Sequence, residues 1–215
     1  MTKTAVRAQI EAIRAAFHDR PPGLVRHVER VVIEAVDLAV RWGADPERAT
    51  LAAWGHDLFR ALPAADQLKL AREVGLPLTA EDQAQPMLLH GPNASFVLRE
   101  RFAVRDEEAL AAVRDHTLGG AEMPLLAKII LLADKVERRK RGRTPVMREI
   151  RRLARRDIDL ALLCWADWKW VEERRHGWSS HSQHWAARQR WVAGHHAEIG
   201  LPGRTTDDAD GFETT

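Results

Sequence analysis

The sequence predicts an all-α protein, and three observations carry that reading. Apolar residues recur at three- and four-residue spacing over most of the chain. Strict two-residue alternation is absent, and the periodic segments stop at glycine or proline. With 215 residues, 45% hydrophobic and 30% charged, the chain can bury the core of one sizeable domain.

The elements follow in order. The first twenty residues mix charged with apolar side chains and lack the uninterrupted apolar core of a secretory signal. Leu24, Val28, Val31, Val32, Ala35, Leu38, Ala39 and Trp42 trace one face of a helix that Gly43 ends. Asp45-Pro46 supplies a cap and a first-turn proline to the next helix. Ala49, Ala52, Ala53, His56 and Phe59 share one side of it, and Pro63 lies just past its end. A loop-rich stretch with a short helix near 66–74 is broken by Gly75, Pro77 and Pro86. Helices are then expected over about 91–102, 106–117, 123–137 and 145–163. Past Cys164 the composition changes, with six of the eight tryptophans and His176, His181, His184, His195 and His196 in this part. The expected organisation is a helical domain at 1–163, a Trp-rich helical appendage at 164–200 and a disordered tail at 201–215.

Composition excludes several classes. Thirty-three basic and 31 acidic residues leave a net charge of +2, too little for a strong nucleic-acid-attracting field. One cysteine rules out an internal disulfide framework and suits a reducing compartment. No apolar run approaches the roughly 18 residues of a membrane span. The expected setting is the cytoplasm.

The chemistry lies in polar residues on apolar faces. His56-Asp57 continues the alanine face of its helix, and burying both groups is costly unless each has a partner. Asp134 follows Ile129, Ile130, Leu131, Leu132 and Ala133, a segment apolar on all sides and therefore central, so a cation is expected beside it. His27 lies one turn before Val31, His116 follows Ala112 and Val113, and His90 precedes the Gly91-Pro92 break. Nitrogen and carboxylate donors converging inside a bundle build a metal site. Imidazoles and carboxylates without thiolate favour iron, manganese, zinc or cobalt. Six donors could hold two ions that share an aspartate, and such pairs act on phosphate esters and anhydrides.

The order His27, His56-Asp57, His90, His116, Asp134 resembles the HD superfamily of metal-dependent phosphohydrolases, which are helical bundles. His90 and His116 look like the two-metal variety. Within it the chain is most similar to the bacterial YqeK-type symmetrical diadenosine tetraphosphate hydrolases. The stretches that carry this are Trp42-Gly43-Ala44-Asp45, Gly55-His56-Asp57, Leu89-His90-Gly91, His116-Thr117-Leu118-Gly119 and Ala133-Asp134, within about 24–163.

The resemblance implies two divalent transition-metal ions, iron first with manganese or cobalt as alternatives. Asp57 would bridge them, with His27, His56 and Asp134 on one ion and His90 and His116 on the other. Asp57 and His56 would carry the catalytic role, a metal-bridging hydroxide being the nucleophile that yields two ADP. Arg60 stands where that branch usually has Lys, and Lys140 where it has Arg, whereas Leu24 replaces a usual basic residue.

Arg60, Thr117, Arg138, Arg139 and Lys140 are the candidate substrate-binding residues. The basic run 138–143 reads equally as a solvated helix end or as a polyphosphate site. The C-terminal tryptophans read as core and cover of a helix pair, with a stacking surface for single strands as the second reading. The expected partner is a nucleotide or dinucleoside polyphosphate, with a homodimer as an option and neither membrane nor nucleic acid. The alternatives are a phosphohydrolase of the same fold acting on mononucleotides or other phosphate esters, and a non-catalytic nucleotide- or RNA-binding protein.

Overall fold

Helix starts and stops in the computed structural model follow local chemistry. The structure describes residues 3–141 and 145–198, except for the side chains of 140, 141, 197 and 198. The expected tail at 201–215 lies outside the described residues. Helix α1 (Lys3–Ala15) buries Val6 and Ile13. Helix α2 (Pro22–Trp42) starts with its proline and ends at Gly43, whose φ of 70° lets the amides of Gly43 and Ala44 reach back to carbonyls of the last turn. Asp45 caps α3 (Pro46–Gly55) by accepting from the amides of Glu47 and Arg48. Its Ala49, Ala52 and Ala53 are fully buried, and these small side chains let α2 pack closely on α3.

Helix α4 (Ala64–Glu73), the short α5 (Ala80–Ala84), capped reciprocally by Thr79 and Asp82, and a 3-10 turn at Pro86–Leu89 lead into α6 (His90–Arg101). Asp106 caps α7 (Glu107–Asp115) and binds the Arg48 guanidinium at 2.5 and 2.6 Å, tying α3 to α7. Helix α8 (Leu125–Val136) runs through the middle. It packs against α2, α3, α7, α10 (Pro145–Ala154) and α11 (Ile158–His176), and Ile129 to Ala133 have no solvent exposure. The short α9 (Arg138–Arg141) follows α8, and α12 (Ser182–Glu198) packs on α11. No strand occurs among the described residues, so the expected all-α class holds.

Three features differ from expectation. Helices α1 and α5 were not anticipated. The single helix expected at 145–163 is two, because the amides of Arg156 and Asp157 turn back to the Leu153 carbonyl and Asp157 then caps α11. Helix α11 continues to His176, so the division drawn at 163/164 falls inside it, with Leu162, Trp165 and Ala166 in one core cluster. No helix among the described residues is long and apolar enough to cross a membrane.

Candidate metal centre

The six expected metal-binding residues converge on one cleft of about 490 Å³. Its walls include His27 from α2, Asp57 from the turn after α3, and His90 at the start of α6. His116 after α7 and Asp134 of α8 complete the set, with His56 fully buried behind them.

Three imidazoles share one local device. Nδ1 of His56, His90 and His116 lies 2.6, 2.6 and 2.7 Å from the carbonyls of Ala53, Met87 and Val113, each three residues earlier. A carbonyl only accepts, so each Nδ1 carries a proton, and in the neutral ring each Nε2 then presents a lone pair. The Nε2 atoms of His90 and His116 then face one another at 3.0 Å. Two lone pairs at that distance repel unless a cation lies between or beside them. The Thr117 hydroxyl, 3.0 Å from one and 3.3 Å from the other, can donate to only one at a time. His56 Nε2 is buried with no hydrogen-bond partner among the described residues.

Asp57 lies between two nitrogen pairs. Its Oδ1 is 3.2 and 3.5 Å from Nε2 of His90 and His116, and its Oδ2 is 3.5 and 3.6 Å from Nε2 of His27 and His56. Asp134 Oδ1 is 3.0 Å from His27 Nε2 and 4.0 Å from His56 Nε2. Two donor groups result, each able to hold an ion: His27, His56 and Asp57, and Asp57, His90 and His116.

Electrostatics point the same way. Burial lowers the pKa of His56 against the pull of Asp57 and Asp134, and it pushes His116 down to about 4 against Asp57. Burial also opposes charge on Asp57, yet the imidazoles of His56, His116 and His90 hold its carboxyl well below the usual range. Protons cannot meet both demands. Neutral rings leave Asp57 without positive charge, and protonated rings would be charged and buried. A metal cation, which binds neutral imidazole and ionised carboxylate together, satisfies both.

Of the expected substrate-binding residues, Arg60 and Thr117 line the cleft. Arg138 and Arg139 are exposed and are not among its lining residues, and the side chain of Lys140 lies outside the described part. Two further residues belong to the site. Lys135 lines the cleft, with Nζ 2.7 Å from Asp134 Oδ2. Glu137 places Oε1 3.5 Å from His27 Nδ1 and accepts from Arg30 Nε and the Arg139 amide, both at 2.7 Å. Burial opposes its charge, but Arg30 and that amide keep its pKa low. Their closeness in sequence to Asp134 is the one signal that could have found them.

The Trp-rich part adjoins the site. His184 Nδ1 donates to the Leu118 carbonyl at 2.9 Å, and Gln183 donates to the Gly119 carbonyl at 2.7 Å, just past Thr117. Gly119, at φ 77°, accepts Trp191 so closely that a Cβ there would lie 2.6 Å from the indole.

The HD domain family model matches residues 24–139. A Bacillus subtilis protein named symmetrical bis(5'-nucleosyl)-tetraphosphatase is 34% identical over 64% of this chain and 72% of its own length. A Halalkalibacterium halodurans protein of the same name is 35% identical with the same coverage. A crystal structure of a Clostridium acetobutylicum HD superfamily hydrolase, described as involved in NAD metabolism, superposes with a TM-score of 0.81. It is 28% identical over 86% of this chain and 97% of that one.

Proposed function

Because the chain belongs to the HD domain family, and so to its metal-dependent phosphohydrolases, we propose that its reaction is the symmetrical cleavage of dinucleoside tetraphosphates, diadenosine tetraphosphate giving two ADP. The observation that carries the two-ion part is Asp57, whose two oxygens face two different pairs of imidazoles. The relatives named for symmetrical tetraphosphate cleavage support the substrate class.

In this reading His27, His56, Asp57 and Asp134 would hold one divalent ion. Asp57, His90 and His116 would hold the second. Iron is the first candidate, and manganese or cobalt are the alternatives. Bound there, such ions would supply Lewis acidity, lowering the pKa of water and neutralising phosphoryl charge.

The protein's own groups do the rest. The Nδ1–H bonds to Ala53, Met87 and Val113 fix the tautomer and ring angle of three imidazoles, and the Glu137 carboxylate, 3.5 Å from His27 Nδ1, favours a proton on that nitrogen. Asp57 and His56 lie nearest the chemistry. Arg60 and the Thr117 hydroxyl line the cleft where phosphate oxygens would lie. Arg138 and Arg139 act as charges beyond the end of α8. In the overall reaction, water oxygen joins one inner phosphorus as its bond to the central bridging oxygen breaks. Each half leaves as ADP, and two protons are released in all as the two new terminal phosphates ionise. The proposed setting is the cytoplasm.

The test is a panel of diadenosine tetraphosphate, mononucleotides and an aryl phosphate, assayed anaerobically with iron, manganese and cobalt. ADP as the sole nucleotide product supports the proposal. ATP with AMP from the tetraphosphate, or turnover of mononucleotides alone, overturns it.

A further inference from the structure

Lys135 stands out in its helix. It lies between Asp134 and the buried Val136, after a run in which Ile129 to Ala133 are fully buried, and its own side chain is only 17% exposed. Its Nζ donates to Asp134 Oδ2, on the side of that carboxylate away from the oxygen that approaches His27. The same ammonium lies 5.5 Å over the indole of Trp165, a buried residue of α11. His184 meets the edge of that indole at 5.1 Å, and Trp191 lies at 6.5 Å. The aromatic part of the C-terminal helices therefore forms a rigid floor for a lysine that lines the metal cleft.

We propose that Lys135 is a phosphate-binding residue of the cleft, held over it by Trp165, and that it contacts a phosphate oxygen of a polyphosphate bound at the metal centre. This rests on the phosphohydrolase reading above. An ammonium carries three N–H donors and can hold Asp134 and a phosphate oxygen together. Charge favours the same conclusion. Two carboxylates against two divalent ions leave the centre positive, and Lys135 adds to it. Behind it, burial first and the charge of Lys135 second push the ammonium of Lys169, which pairs with Glu173, down to about 8. Glu137 is engaged by Arg30, and Glu173 by Lys169 and Ser180. A phosphate entering the cleft is the anion that would relieve this excess.

The probe is methylenediphosphonate, a pyrophosphate analogue that is not hydrolysed. Its binding to metal-loaded full-length protein is measured by calorimetry, alongside elemental analysis. Lys135→Gln should weaken binding by about ten- to a hundredfold, the loss expected for one charge-assisted contact, with metal content unchanged. Lys135→Arg should recover most of the affinity. Unchanged affinity in Lys135→Gln overturns the proposal, as does a loss that only tracks missing metal, which would make Lys135 a support for Asp134. The readout needs no turnover. Failure to cleave diadenosine tetraphosphate, with this affinity loss present, removes the substrate reading and leaves the role of Lys135 standing.

Discussion

Gly91→Ala should empty one half of the metal centre and leave the other. Gly91 follows His90 in α6 and faces the last turn of α7. A Cβ there would lie 2.8 Å from the Arg114 carbonyl oxygen, 3.0 Å from that of Val113 and 3.3 Å from His116 Cε1. Ordinary contact begins near 3.4 Å, so the two helices must separate by about 0.4–0.6 Å, against backbone that cannot rotate away. The Val113 carbonyl is also the acceptor that orients His116. Metal sites tolerate ligand displacements of about 0.2 Å, so the His90–His116 pair loses its geometry. His27, His56 and Asp134 come from other elements and keep theirs. The overpacking costs roughly 1–3 kcal/mol, and alanine's better helix propensity offsets about 1 kcal/mol. The melting temperature should therefore fall by no more than about 8 °C for a chain of this size. Anaerobic elemental analysis should show metal dropping from near two ions per chain to near one, with activity lost. Two ions retained at full activity would refute the argument, since the strain would then be absorbed elsewhere. Loss of both ions would refute the independence of the halves.

Three other outcomes are expected. Asp57→Asn should abolish hydrolysis and lower metal content, because the shared carboxylate faces both imidazole pairs; activity within tenfold of wild type would contradict its bridging role. Glu137→Gln should cost about 10–100-fold in metal affinity or activity, read by metal titration, and an unchanged titration would separate Glu137 from His27. For His184, burial, opposed by the Leu118 carbonyl and aided by the charges of Lys169, Lys135 and Arg188, pushes the pKa down to about 4. The unfolded chain binds this proton near pH 6.5 and the folded one only near 4, so stability is lost as pH falls through that window. His184→Gln should make the drop in urea midpoint between pH 7 and pH 5 shallower, and an equal drop would exclude His184 as a contributor.

The sequence by itself determined the class of fold and the six metal-site candidates, for one physical reason. Helical period shows which side chains face inward, and a buried imidazole or carboxylate needs a partner. His56 and His116 were legible because Ala52, Ala53 and Val113 share their faces, and Asp134 because the segment before it is apolar on all sides. Helix α1 was not, since its many charges obscure the face that Val6 and Ile13 anchor. The break before α11 depends on a turn onto the Leu153 carbonyl, which period does not encode. Only the tertiary structure gave the distances at which Asp57 lies between the two imidazole pairs, and only it put Trp165 under Lys135. It alone also brought α12 onto the loop after His116. These contacts join residues tens of positions apart, through crossing angles and packing distances set by all the helices at once, whereas periodicity reports only the direction in which each side chain leaves its own helix.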